Sequence, residues 1–296
     1  MIPDGWVWNQ AELELNHVLN EGLVSLVAFD LDGFPRAVGS GFFDSAQIQS
    51  AVVCTAAHVL REVERLQQPR RAVHPTTPTE FRTPRQRIEL AKEKLRVLCI
   101  RSSQVEMAPV SWCILDDPSD LAFLGVEPQG SEDRFKFDRE LRFVSRRLSV
   151  GDQVAVLGYN AMSTAPASVA KGATKGFQLA RELVLRLGSV TALHEDGHIL
   201  CRDACFETSI PVSSGMSGSP VVLYANDGEP IEVVGVVCSG PEPEDAGTLD
   251  RRISGCSIVA CLRPEITSMD GKQVSAQFLL KSAELVQRAE DESDDP

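Results

Sequence analysis

Three residues have the types and settings that nucleophilic catalysis uses: His58, Asp120 and Ser217. Ser217 lies within the hexapeptide 215–220 and is flanked by Gly215 and Gly218. A serine hydroxyl is a poor nucleophile at neutral pH, so it needs a nearby base and backbone N–H groups that bind a developing oxyanion. Glycine permits such a backbone because it adopts φ values closed to other residues. On its own, however, the hexapeptide also fits a glycine-serine turn before a strand.

His58 and Asp120 each stand at the edge of an apolar run. His58 lies where a buried strand is expected to meet a short helix, a place where a lone histidine is usually structural. Asp120 opens an apolar run, and a carboxylate is costly to bury there unless something bonds it. Asp116 and Asp117 are rivals, but they lie in the turn before Pro118 and are better suited to capping it. We therefore expect Asp120 to be the partner of His58.

Two sets of β-rich runs, separated by turn signals, position these residues. The predicted strands are 23–29, 37–43, 48–55, 95–100, 110–115 and 120–124 in the first half, and 153–159, 182–192, 199–206, 219–224, 231–238 and 253–260 in the second. The two halves therefore contain equal numbers of strands, although no repeat is visible as sequence identity. An all-β protein is predicted, with His58 and Asp120 in one half and Ser217 in the other.

The predicted domain organisation follows these halves. It consists of an N-terminal segment 1–22, a first β unit 23–130, a crossover 131–150, a second β unit 151–262, and a C-terminal helix and acidic tail 263–296. The helix is predicted from the apolar spacing of residues 275–288. Residues 160–178 are rich in small and polar side chains and are predicted to form a flexible loop.

A basic insertion, residues 61–94, interrupts the first β unit. Between residues 61 and 101 there are eleven basic side chains against five acids. Prolines indicate a loop in the first half of the insertion, and residues 85–94 could form a short helix. A charged run of this kind is usually a solvated face; the alternative is a docking surface for an acidic partner, such as a regulatory protein or this chain's own tail.

Composition limits the compartment and the partners. The 296 residues are 43% hydrophobic and 24% charged, which is ordinary for a soluble globular protein. A net charge of −13 argues against nonspecific nucleic-acid binding. No secretory signal or membrane-spanning run is visible. Most of the eight cysteines lie in apolar strand-like runs, so we expect reduced core thiols and a cytoplasmic protein, unless a leader has been removed.

A second cluster of residues has the types that bind metals. His194, His198, Cys201 and Cys205 have the spacing H-x3-H-x2-C-x3-C, and four such ligands could bind zinc tetrahedrally. The two cysteines would share one face of a strand, but the loop histidines need not converge with them. We therefore expect core or surface residues, with no metal and no cofactor.

Taken together, the motifs resemble those of the trypsin-like serine proteases, and more those of the bacterial and HtrA-type branch than those of the secreted digestive enzymes. The resemblance covers roughly residues 23–262, and its carriers are Thr55-Ala56-Ala57-His58, 120–124, 151–159, 215–220 and 235–240. It implies two six-stranded antiparallel β-barrels with the active site between them. It also implies that His58 acts as the base, that Asp120 orients it, and that the N–H groups of Gly215 and Ser217 bind the oxyanion.

The same resemblance implies two substrate-binding segments. Cys238, Ser239 and Gly240 would pair with a protein or peptide substrate as an added β-strand. Ile210, Pro211 and Val212 would line the floor of the pocket for the first substrate residue, which is expected to be neutral because no acid is present there.

Two departures from the family bear on regulation. Met216 stands where the digestive enzymes carry the aspartate that pairs with a new N-terminus after zymogen cleavage, so that ion pair cannot form. The residues after Cys261 are too few for the peptide-binding domain that HtrA relatives usually carry. We therefore expect control by a partner or by loop ordering. Besides the serine endopeptidase, two other readings stay open: a catalytically silent binding module, and an esterase or acyl transferase with the same triad.

Overall fold

The structure of the chain is a computed structural model. It describes residues 22–46, 51–67, 87–90, 94–101, 104–126, 141–144, 146–166, 176–198, 200–213, 215–223, 232–239, 257–261, 266–267 and 273–274. Two closed, antiparallel, six-stranded β-barrels account for most of these residues, which confirms the predicted fold class.

The first barrel is built from seven strands, six of which close the ring. They are β1 (Leu23–Phe29), β2 (Pro35–Ala46), β3 (Ala51–Ala56), β4 (Arg87–Glu89), β5 (Leu95–Arg101), β6 (Gln104–Asp116) and β7 (Leu121–Val126). The order β6-β5-β1-β2-β3-β7 closes through the pairing of β6 with β7, and β4 is added at the outer side of β6. Closure removes the unpaired edges that an open sheet of this length would expose.

The second barrel has the same plan. Its strands are β8 (Arg142–Phe143), β9 (Gln153–Pro166), β10 (Phe177–His194), β11 (Cys205–Thr208), β12 (Pro220–Leu223), β13 (Glu232–Ser239) and β14 (Ser257–Cys261). The ring β12-β9-β10-β11-β14-β13 closes through β12 and β13, while β8 adds a short parallel strand beside β13. A separate hairpin joins β15 (Ile266–Thr267) to β16 (Gln273–Val274).

Alternation along the strands builds two hydrophobic clusters that meet at the barrel interface. In β9, Val154 and Val156 pack in a cluster made of second-barrel residues, whereas Ala155 and Leu157 pack in a larger cluster that continues into the first barrel. Because successive strand residues point to opposite faces, β9 contributes to both clusters. Burial on both faces explains why this strand is apolar at consecutive positions.

One α-helix, α1 (Ala57–Leu66), is found among the described residues, and it follows β3 without a loop. Its buried face, which includes Val59 and Val63, packs against the first-barrel core, and its opposite face is polar. No helix in the described ranges is long and apolar enough to cross a membrane.

Several local predictions are wrong. The first residues of the basic insertion, up to Leu66, continue α1 as helix, and Arg87–Glu89, predicted as part of a short helix, form the strand β4. Residues 160–166 and 177–178, predicted as loop, extend the β9–β10 hairpin. Ile199–Phe206 was predicted as one strand, but strand pairing with β10 and β14 begins only at Cys205.

Other predictions fall wholly or partly outside the described residues. They concern the N-terminal segment, most of the basic insertion and most of the crossover, from which β8 emerges as a short strand. The predicted C-terminal helix and acidic tail lie outside the described residues entirely. The domain boundaries therefore stay predictions.

Candidate active site

His58 and Asp120 are joined by two hydrogen bonds. The ring atom His58 Nδ1 lies 2.7 Å from Asp120 Oδ2, and the backbone N–H of His58 donates to Asp120 Oδ1 over 2.9 Å. The Asp120 side chain is 6% exposed and that of His58 is 35% exposed. The Nδ1 edge of the imidazole is thus fixed by a buried carboxylate, while the rest of the ring stays accessible to a ligand.

The strand register explains this pairing. In the antiparallel β3–β7 pair, Ala56 lies opposite Leu121, so the residues just beyond the two strands meet at one end of the barrel. Asp120 O accepts the N–H of Ala57 at 2.9 Å, and Ala56 makes no side-chain cap. Asp120 therefore satisfies two of the N–H groups that the start of α1 leaves without intrahelical partners, in addition to binding the ring.

The turn before β7 holds Asp120 in an unusual conformation. Its φ is +53°, in the left-handed region that aspartate tolerates better than most residues. The neighbouring Asp117 pairs with Arg61 at the surface, at 2.7 Å between Oδ1 and Nη2. Arg61 Nη2 also lies 3.9 Å from Asp120 Oδ1. Of the three aspartates considered from the sequence, Asp120 is the one that the structure places on the histidine ring.

Ser217 lies in a tight turn between two glycines with positive φ. Gly215 has φ +97° and Gly218 has φ +85°. A Cβ atom on Gly218 would lie 2.0 Å from Ser40 O, so no larger residue fits there. Between them, Met216 is fully buried in the second-barrel cluster. The turn therefore holds Ser217 half-buried, with its neighbours fixed on both sides.

Three backbone N–H groups of this turn donate to described carbonyl oxygens. Met216 N donates to Ser213 O, Ser219 N donates to Met216 O, and Gly218 N donates to Val237 O. Within the part of the chain that the structure describes, the N–H groups of Gly215 and Ser217 donate to no acceptor. Buried backbone donors are nearly always paired, so two unpaired donors beside one serine can bind an external oxygen.

The turn packs against the strand and helix that carry His58. Ser217 O accepts the N–H of Ser40 at 2.8 Å, and a Cβ on the adjacent Gly39 would lie 2.7 Å from Val59 Cγ2 and 3.0 Å from Ser217 O. Only a glycine backbone separates the residue after His58 from the backbone of Ser217. The Ser217 hydroxyl forms no hydrogen bond to any described residue. The Ser217 turn therefore lies against the first barrel, beside the helix that carries His58, and the Ser217 hydroxyl has no described partner.

The predicted substrate-binding segments are partly described. Cys238 and Ser239 end β13, beside the Ser217 turn, and a register shift in the pairing with β14 falls at Cys238. Cys238 is completely buried, and Gly240 lies outside the described residues.

In the segment predicted as pocket floor, Ile210 and Val212 are buried in the second-barrel cluster and Pro211 is exposed. Sequence reasoning missed Arg186 of β10, whose Nη1 donates to Pro211 O. Burial lowers the pKa of Arg186, whereas the nearby carboxylate of Glu182 acts to raise it. A positive charge therefore lies next to a segment that was predicted from sequence to be neutral.

The four residues considered as zinc ligands lie on paired backbone segments, His194 opposite Cys205 and His198 opposite Cys201, but their side chains have other partners. His194 Nε2 lies 2.9 Å from Glu207 Oε1. The ring of His198 lies against the ring of His194 in a tilted arrangement, with 5.1 Å between the ring centroids. Cys201 and Cys205 are buried away from solvent. No group of three or more His, Cys, Asp or Glu side chains suited to a metal ion occurs among the described residues.

Instead, three buried thiols cluster behind Asp120. Hydrogen bonds from Cys205 and Cys238 lower the pKa of Cys201, while burial raises the pKa of Cys238 well above its usual range. Cys201 Sγ lies 3.5 Å from Ser119 O, the carbonyl oxygen of the residue that precedes Asp120. The negative charge of Asp120 acts to raise the pKa of both Cys201 and Cys238, so the thiol cluster lies within electrostatic reach of this carboxylate.

Two positioning residues were not assigned a role from the sequence. Ser40 and Thr55 are completely buried and connect the first barrel to the Ser217 turn. The signal available in the sequence was a hydroxyl residue inside each of two apolar strands, where a buried polar group requires a partner.

Comparison with known proteins identifies a family for most of the two barrels. The family model for the trypsin-like peptidase domain matches residues 39–236, more than half of the chain and a range that includes His58, Asp120 and Ser217. No curated protein sequence matches the chain significantly.

Proposed function

The chain belongs to the trypsin-like peptidase family, and on this basis we propose that it is a serine endopeptidase that cleaves peptide bonds through an acyl-enzyme intermediate. The observation that carries the proposal is the buried carboxylate of Asp120 at 2.7 Å from His58 Nδ1, at the point where the Ser217 turn meets the first barrel. A histidine oriented by a buried carboxylate beside a serine is the arrangement that activates a hydroxyl for acyl transfer.

In the proposed reaction, Ser217 Oγ attacks the carbonyl carbon of the scissile bond. His58 takes the hydroxyl proton on Nε2, because its Nδ1 is occupied by Asp120, and the carboxylate stabilises the resulting imidazolium. His58 then gives the proton to the leaving amine, and the acyl-enzyme forms. Water, deprotonated by the same histidine, releases the acid product and restores Ser217.

The N–H groups of Gly215 and Ser217 would bind the oxyanion of both tetrahedral intermediates. Their lack of described acceptors supports this role. A donor of this class is worth about 10²- to 10³-fold in rate. The peptide main chain would pair with the end of β13 at Ser239 and with Gly240.

The specificity pocket, the branch of the family and the compartment are finer parts of the proposal. We assign a first-residue pocket near Ile210, Pro211 and Val212, positions that carry no acid, a place in the bacterial and HtrA-type branch, and a reducing compartment such as the cytoplasm. Support for the last is that Cys54, Cys201, Cys205 and Cys238 are buried thiols without disulfides.

Regulation would come from a partner or from ordering of the basic insertion, residues 61–94, since Met216 is buried in the core and carries no charge. A variant without the insertion after α1 should change turnover or its response to a partner. Unchanged turnover with and without candidate partners would count against this part of the proposal.

A fluorophosphonate probe tests the central proposal without knowledge of the natural substrate. The folded protein should be labelled on Ser217, as located by mass spectrometry, and Ser217→Ala should not be labelled. Labelling together with cleavage of a peptide library supports the endopeptidase, whereas labelling with hydrolysis of esters alone favours the esterase. Absence of labelling in folded protein would favour the catalytically silent binding module.

A further inference from the structure

Ser40, a residue of the first barrel, binds two carbonyl groups of the turn that carries Ser217. Its backbone N–H donates to Ser217 O at 2.8 Å, and its hydroxyl donates to Gly215 O at 2.7 Å. Ser40 and Gly215 are 175 positions apart in the chain, and Ser40 is completely buried. A single residue therefore fixes two peptide planes of the Ser217 turn.

Ser40 is itself held from two sides. Thr55 Oγ1 donates to Ser40 O at 2.7 Å, and the N–H of Tyr159 lies 3.4 Å from Ser40 Oγ. With an acceptor on one side and a donor on the other, the hydroxyl hydrogen has one favourable direction, toward Gly215 O. The network runs from β3, which leads into His58, to Ser40, and Ser40 then connects both to the Ser217 turn and to β9 of the second barrel.

Fixing these two carbonyls also fixes the donors between and beside them. Peptide groups are planar, so the direction of Gly215 O sets the orientation of the peptide between Gly215 and Met216. In the same way, the direction of Ser217 O sets the orientation of the peptide between Ser217 and Gly218. The Ser217 N–H lies between these two peptides, and it has no described acceptor. A flip of the Gly215 carbonyl would break the Ser40 hydrogen bond and leave the buried Ser40 hydroxyl without its acceptor, which is unfavourable.

We propose that the Ser40 hydroxyl is the positioning group that keeps the oxyanion-binding turn in its active conformation, in place of a charged contact at Met216. Met216 is buried among apolar side chains, and its only described side-chain polar contact is with the Ser213 hydroxyl at 3.6 Å from Sδ. The turn is thus anchored by neutral hydrogen bonds across the barrel interface. This inference rests on the proposed endopeptidase function.

The test is the kinetics of fluorophosphonate labelling in the Ser40→Ala variant. Loss of the hydroxyl should lower the maximal labelling rate constant by about 10- to 100-fold, because the donors no longer hold the geometry that the phosphonyl oxygen needs. The probe concentration for half-maximal rate should change less than about threefold, since that weak encounter does not require the oxyanion donors. Ser40→Cys, which retains a weak donor, should recover part of the rate.

Ser111→Ala is the matched control, since Ser111 is also a buried first-barrel serine whose hydroxyl lies near a backbone carbonyl, that of Gly125 at 3.4 Å. It should label at the wild-type rate. A Ser40→Ala variant that is folded and labels as fast as wild type overturns the inference alone. A rate loss that merely follows the unfolded fraction, measured by circular dichroism, also overturns it. Absence of labelling in folded wild-type protein would overturn the proposed function and this inference together.

Discussion

Asp120 binds His58 twice, once through the imidazole and once through the backbone N–H at the start of α1. The two carboxylate oxygens have separate tasks: Oδ2 orients the ring, and Oδ1 holds the helix end that carries it. The ring position therefore depends on the same side chain as the helix terminus, which leaves the histidine little freedom relative to the first barrel.

Replacing Asp120 by Asn should abolish most activity and leave the fold intact. Asparagine tolerates the left-handed φ of +53° and can still accept from His58 N, but its amide would stabilise the wrong imidazole tautomer. We expect a loss of about 10⁴-fold in kcat. Hydrolysis assays beside thermal unfolding would measure both effects, and a variant that keeps a tenth of the activity would contradict the assigned role.

Asp117→Asn is the control for this substitution. It removes the exposed ion pair with Arg61 and does not touch the histidine. Because exposed pairs contribute about 0–1 kcal/mol, both activity and stability should stay close to wild type.

The Gly218 position should tolerate no side chain. In Gly218→Ala, the φ of +85° is strained, and the new Cβ would lie 2.0 Å from Ser40 O and 2.2 Å from Thr55 Oγ1. We expect destabilisation of about 3 kcal/mol or more, with loss of labelling at Ser217. Gly151→Ala provides the comparison, since Gly151 has a similar φ of +96° but nothing within 4 Å, so only backbone strain of about 1–2 kcal/mol should appear. Equal losses in urea unfolding would argue against the close packing of the turn.

Tyr159 should make stability fall at alkaline pH. Burial raises its pKa from 10.0 to about 12, although Arg181, whose guanidinium carbon lies 3.9 Å from the ring centroid, acts in the opposite direction. Between these values the unfolded phenol loses its proton while the folded one keeps it. Stability is therefore intact below pH 10 and falls as pH rises toward the folded pKa, by about 2–3 kcal/mol in total.

Tyr159→Phe removes this titration and retains the ring under Arg181. Its free energy of unfolding should fall less steeply than that of wild type above pH 10. Tyrosinate absorbance offers a second measurement, because the chain has two tyrosines and the substitution should remove the one that ionises late. Parallel stability curves for the two proteins would contradict the expected pKa.

The sequence predicts those site residues whose signal lies within a few neighbouring positions. The histidine after an apolar strand, the aspartate before one and the serine between glycines each carry their information within a few residues, and the structure brings His58 and Asp120 into contact. Ser40 could not be assigned in this way, because its role depends on hydrogen bonds to residues in the other barrel. The strand Arg87–Glu89 was missed because three residues are too few for alternation to distinguish a strand from a helix, and its pairing with β6 supplies the backbone bonds.

We predict that substrate preference at the proposed first-residue pocket depends on Arg186. Its cross-strand partner is Val156, which packs in the second-barrel cluster, so the arginine side chain shares that face and reaches Pro211 O. Among the described side chains, its Nε has no hydrogen-bond partner, so the charge is incompletely compensated. We expect a positive charge at this place to disfavour Arg and Lys in the substrate, by like-charge repulsion.

A peptide-library cleavage profile should therefore show no dominance of Arg or Lys at the cleaved residue. Arg186→Gln should raise the relative kcat/KM for basic residues by about twofold to tenfold, because it removes the charge and keeps a donor for Pro211 O. Arg186→Lys retains the charge and should leave the profile unchanged. Residues 241–250 include acids that could favour basic substrates, and they lie outside the described residues. A wild-type profile dominated by Arg or Lys would mean that these acids, rather than Arg186, set the preference of the pocket.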